Sequence, residues 1–139
     1  MSAGYTISNS FTNFHRRLTS NEILNLFTTP VTLIAAPGAN YTFGIIYVYA
    51  RINFGGTAYS NTGFALYIQN NSNSPVTNSL TGFLNSTTTR TTNVSVGANV
   101  ASEQYPANQP LIVQALTANP TTGNGTVDLW IAYNVFFMP

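Results

Sequence analysis

Between Phe43 and Asn53 the chain reads FGIIYVYARIN, and no charged or amide side chain interrupts it before Arg51. At strand periodicity, Gly44, Ile46, Val48, Ala50, Ile52 and Phe54 share one face, and Phe43, Ile45, Tyr47, Tyr49, Arg51 and Asn53 share the other. A strand with one wet face alternates apolar with polar residues, whereas this one is apolar on both sides. It therefore requires cover twice, once from its own core and once from something else, such as a second subunit. The closing run Thr126 to Met138 repeats the pattern: Val127, Leu129, Ile131, Tyr133, Val135 and Phe137 oppose Asp128, Trp130, Ala132, Asn134, Phe136 and Met138. Two such strands constrain the chain to an all-β core.

The remaining strands are shorter and are separated by turn residues. Val31 to Ala36 closes at Pro37-Gly38, and Leu111 to Ala118 precedes a turn-rich linker, Asn119 to Gly125. Phe54-Gly55-Gly56-Thr57 ends the central run, and GFALYIQ from Gly63 to Gln69 predicts a return strand paired with it as a hairpin. Val76 to Phe83 is weakly patterned. Thr87 to Thr92 is β-prone but polar, a strand edge or loop, and Asn93 to Val100 reads as a strand. The sum is a single jelly-roll-like β-sandwich of about eight strands. Ahead of it, Thr19 followed by Glu22 is a capping box that starts a short helix over 20–27, ended by Thr28-Thr29-Pro30. Residues 1–19 read as an N-terminal arm with one short strand at Tyr5 to Ser8, and residues 20–139 as the sandwich domain.

At 139 residues the chain has the size of one domain. Only Arg16, Arg17, Arg51, Arg90, Glu22, Glu103 and Asp128 are charged, 5% of the chain, against about 25% in ordinary soluble domains. Polarity is supplied by Thr, Asn and Ser, and a surface with so little charge favours association. The same scarcity leaves no basic stripe for nucleic acid or anionic membrane, so neither is an expected partner. With no cysteine there are no disulfides, thiolate nucleophiles or Cys-based zinc sites. No apolar run approaches the roughly 20 residues that span a bilayer, and the first residues lack a signal peptide's basic and apolar regions, so Sec export is not expected.

Catalytic chemistry has little to work with. A serine nucleophile needs a base oriented by a third group, and the one histidine, His15, stands beside Arg16 and Arg17 without a carboxylate nearby in sequence. Glu103 and Asp128 form a glycosidase-like carboxylate pair only if the fold joins them, and the plainer reading of Asp128 is a cross-strand partner for Arg51. The protein is read as non-enzymatic, with no cofactor and no metal. Tyr41, Tyr47, Tyr49, Tyr59 and Trp130 have two readings: packing at the core and subunit contacts, or an aromatic platform for sugars.

Three stretches carry a family likeness: LFTTPVTLIAAPGA from Leu26 to Ala39, FGGTAY from Phe54 to Tyr59, and TGNGTVDLWIAY from Thr122 to Tyr133. In this order they resemble small structural proteins of tailed bacteriophages, of the head-decoration or head-fibre type. The resemblance implies a jelly-roll-like virion protein, a homotrimer, assembled in the host cytoplasm and bound to the major capsid protein or other virion proteins. It brings no catalytic residues. The expected function is thus a capsid decoration or cementing protein. Tyr47, Tyr49, Trp130 and Phe136 are expected at the oligomer interface, and Phe11, Phe14, His15, Arg16 and Arg17 at the capsid docking surface. The alternative is a receptor- or carbohydrate-binding module of a head or tail fibre, for which glycan binding would be lost on mutating Tyr59.

Overall fold

A computed structural model describes residues 11–61, 64–68, 75–96 and 106–139. It is built from antiparallel strands and one short helix. In chain order these are β1 (Thr12–Leu18), α1 (Ser20–Leu24), β2 (Val31–Ile34), β3 (Tyr41–Asn53), β4 (Tyr59–Ser60), β5 (Phe64–Ile68), β6 (Arg90–Val94), β7 (Leu111–Ala115), β8 (Thr121–Thr122) and β9 (Thr126–Phe137). One sheet has the order β1-β9-β3-β6, a second the order β2-β7-β5, and β4 pairs with β8. Val48, Ala50, Ile52, Val127, Leu129 and Ile131 of the first sheet join Leu33, Leu111, Val113 and Ala115 of the second in one buried cluster. The fold is all-β, as the two-sided strands require.

The long pair β3–β9 sets the architecture, and its register contains a correction. Ile45 pairs with Tyr133, but Tyr47 pairs with Ala132, so Ile46 is an extra residue in a β-bulge. One added residue inverts the side-chain parity of everything beyond it. Phe43 and Ile45, expected beside Tyr47 and Tyr49, lie instead on the core side with Val48, Ala50 and Ile52. The Phe43 ring meets Tyr133 edge-on at 5.5 Å. Ile46, expected on the core side, is exposed.

Two further expectations change. Thr12–Leu18, read as part of an arm, is a full strand paired along β9 from Tyr133 to Val127. The strand anticipated at Tyr5 to Ser8 lies outside the described residues. β5 does not form a hairpin with β3; it pairs with β7 in the other sheet. The reason lies at Tyr59, where the chain crosses between sheets. Its ring is buried, its hydroxyl donates to the Gly125 carbonyl at 2.6 Å, and burial pushes its pKa up to about 12. With Tyr59 pinned there, the chain after the Gly55-Gly56 turn is led away from β3.

The helix starts as the capping box predicts but ends at Leu24, with Asn25 as its C-cap, short of the expected residue 27. Glu22 N–H donates to the Thr19 hydroxyl, and Thr19 N–H donates to the Glu22 carboxylate. Ile23 and Leu26 are fully buried against the core. The weakly patterned stretch near Val76 to Phe83 holds a single bridge, Thr77 to Val96, yet Val76, Phe83 and Leu84 are buried. It contributes to the core without strand periodicity.

Candidate functional site

The outer face of the first sheet carries the chemistry. Because β1, β9, β3 and β6 are in register, their outward residues form rows across the sheet. Asn13, Ala132 and Tyr47 make one row, and His15, Trp130, Tyr49 and Asn93 the next. Arg17, Asp128, Arg51 and Thr91 make a third, with Asn53 opposite Thr126 beyond it.

Asp128 organises this face. It is 2% exposed although it lies on the side away from the core. Arg17 Nε and Nη2 donate to its two carboxylate oxygens, both at 2.9 Å. Asn53 Nδ2 donates to Oδ2 at 2.7 Å, and His15 Nε2 lies 2.8 Å from Oδ1. An ionised carboxylate has about four acceptor sites, so these four donors fill it. The Arg17 guanidinium bonds hold the Asp128 carboxyl well below the usual carboxylate range; burial opposes this, and Asn53 and His15 reinforce it. A carboxylate so occupied is a positioning group and has no lone pair to spare as a general base.

What it positions is aromatic. The His15 ring, held by Asp128, stacks on Trp130 with centroids 5.1 Å apart and planes 28° apart. Tyr47 and Tyr49, both outward after the bulge, meet at 5.3 Å. The Tyr47 hydroxyl is 3.0 Å from Asn13 Oδ1 and donates to it. Between Trp130 and Tyr47 lies a shallow cleft of about 170 Å³. Arg51 stands directly opposite Asp128 as the register expectation required, but the ion pair goes to Arg17. Among the described residues no group of three His, Cys, Asp or Glu could hold a metal ion.

The other end of this sheet is different. Among the described residues, β1 follows β9 to Tyr133 and β6 follows β3 to Val48. Beyond those points Tyr41–Ile45 and Tyr133–Phe137 continue among the described residues as a two-stranded extension. Phe43 stays buried there, but several large apolar side chains in and beside the extension are exposed: Phe137 at 59%, Phe136 at 50%, and Ile46, Val135, Met138 and Tyr41 at 40% or more.

The expected site residues divide accordingly. Tyr47, Tyr49 and Trp130 are neighbours on the outer face. Phe136 shares their side of β9 but stands six residues from Trp130, roughly 20 Å along a strand. Of the expected docking set, Phe11 is exposed, while Phe14 packs against the core and Arg16 bonds Glu22 at 2.6 Å and the Thr32 carbonyl at 3.3 Å. His15 and Arg17 belong to the Asp128 cluster, so the five do not form one surface. Tyr59 is buried and leaves the aromatic platform. Glu103, the other half of the supposed carboxylate pair, lies outside the described residues. Sequence reasoning missed Asn13 and Asn53, whose role depends on β1 and β9 being paired.

Comparison with protein-family models, with curated proteins and with solved structures gives no match for this chain.

Proposed function

We propose that this protein is a non-enzymatic structural component of a bacteriophage particle, a jelly-roll-like sandwich that self-associates as a trimer and binds the capsid shell as a decoration protein. The observation that carries the reading is the exposed apolar end of the β3–β9 ribbon. Large apolar side chains are open on both faces of this end, Phe136 and Met138 on one and Val135 and Phe137 on the other, and exposed apolar surface of this kind marks interaction sites. The scarcity of charge supports the same reading, since little repulsion opposes close packing of copies. The particle and the trimer are proposed from the resemblance of the stretches Leu26 to Ala39, Phe54 to Tyr59 and Thr122 to Tyr133 to small phage head proteins.

Within this reading Phe136, with Val135, Phe137 and Met138, is the centre of the subunit contact. The Trp130 row, roughly 20 Å away along β9, stays open. A Phe136→Asp variant is expected to sediment as a monomer at concentrations where the unaltered protein is an oligomer. An oligomer of unchanged size would remove Phe136 from the contact. Quantitative mass spectrometry of purified particles tests the location: hundreds of copies in simple proportion to the shell protein are expected, because icosahedral symmetry fixes the ratio. Absence from the particle would overturn the virion assignment.

A further inference from the structure

We propose that the cleft between Trp130 and Tyr47 binds one neutral pyranose ring of a glycan. This inference does not rest on the assembly reading. It starts from the row Asn13, Ala132 and Tyr47, in which the central residue is small and fully buried. Asn13 and Tyr47 flank the cleft, His15 and Trp130 bound it one row on, and Ala132 between them is covered by its neighbours. The cleft of about 170 Å³ is of the order of the roughly 150 Å³ cavity that accepts a six-membered ring.

The lining matches a sugar in kind as well as in size. The Trp130 indole and the Tyr47 ring supply apolar wall, and Asn13, His15 and Tyr47 supply an amide, an imidazole and a hydroxyl; Phe14 and Ile131, whose side chains pack on the core side, border the floor. Small-ligand sites combine apolar walls with a few placed polar groups. A pyranose presents the complement, a face of C–H bonds ringed by hydroxyls that both donate and accept. An ionic ligand finds no counter-charge in the cleft, because Arg17 and Asp128 are bonded to each other. An apolar peptide side chain would bury the Asn13 and Tyr47 polar groups without offering them anything.

The site is also held in shape before any ligand arrives. His15, Arg17 and Asp128 are three of the eight charged or histidine side chains in the whole chain. A protein so sparing of charge uses them together to fix one imidazole against one indole on an outward face. The Tyr47 to Asn13 hydrogen bond fixes the opposite rim. Such preorganisation reduces the ordering cost of binding.

Trp130 is the chain's only tryptophan, so its fluorescence reports on this cleft alone. The full-length protein should be titrated with the methyl glycosides of glucose, galactose, mannose and N-acetylglucosamine, with acyclic sorbitol as control. A saturable change in Trp130 emission is expected with at least one pyranoside and none with sorbitol. Tyr47→Phe and Asn13→Ala, which keep the reporter and alter only exposed polar groups, are each expected to weaken that binding roughly tenfold, the loss of about one hydrogen bond. Phe136→Asp should leave it unchanged, which separates this result from that of the assembly test. The proposal is overturned if no pyranoside gives a saturable response, or if both cleft variants respond like the unaltered protein. It is equally overturned if Trp130 emission changes on dilution of the protein alone, since a second copy would then cover the row.

Discussion

At the scale of single residues, Asp128 controls the outer face. Its folded-state pKa lies below the unfolded value near 3.9, with the Arg17 hydrogen bonds as the first cause. The unfolded chain therefore takes up the proton first as the solution is acidified. The contribution of Asp128 to stability is complete above the unfolded pKa and drains away as pH falls through the folded value. The chain has only three acidic side chains, which makes the attribution simple. Thermal unfolding of the unaltered protein should show a midpoint that falls steadily below about pH 4. Asp128→Asn should cost roughly 1–3 kcal/mol at neutral pH, because a buried charge-assisted network loses its acceptor, and should flatten the acid limb. An unchanged acid limb in the variant would assign the acid sensitivity elsewhere.

At the scale of elements, the crossing between the sheets depends on close packing of a loop on a buried ring. Gly123, between β8 and β9, sits directly against Tyr59, and a Cβ there would land on the ring carbons well inside contact distance. The ring cannot yield easily, since its hydroxyl is bonded to Gly125 and its faces are buried. Gly123→Ala is expected to cost roughly 1–3 kcal/mol through overpacking, while Tyr59→Phe, which removes one hydrogen bond and little volume, should cost about 1 kcal/mol. Urea unfolding of both variants checks the order; a Tyr59→Phe loss exceeding that of Gly123→Ala would mean that the hydrogen bond, not the packing, holds the crossing. These elements were unevenly legible in the sequence. The period-2 runs of β3 and β9 and the capping box at Thr19 were plain, because they depend on residues near one another in the chain. The bulge at Ile46 was not, since an extra apolar residue inside an apolar run leaves no mark. β1 was hidden by its composition: Thr12–Leu18 contains Arg16 and Arg17 beside His15, and charged side chains are what guard edge strands against further pairing. With β1 read as an arm, the partner of Asp128 could only be sought on β3. The aromatic residues of the outer face were found; the polar residues that orient them were not, because they are assembled across three strands.

For the molecule as a whole, composition and architecture point to the same kind of association. The formal net charge is +1, and Glu22 and Asp128 are already bonded to Arg16 and Arg17. The contact surface proposed on the β3–β9 ribbon is apolar, so its strength should come from area removed from water, not from ion pairs. Salt separates the two. Raising sodium chloride from about 0.1 to about 1 M shortens the Debye length from roughly 10 to roughly 3 Å and weakens exposed ionic contacts. Excluded salts such as sulfate strengthen apolar burial. Sedimentation of the unaltered protein is therefore expected to show an oligomer that persists across the sodium chloride series and tightens in ammonium sulfate. Dissociation at high sodium chloride would move the contact to the arginines, with Arg51 on the outer face the first to test, and would leave the exposed ribbon end without the role proposed for it.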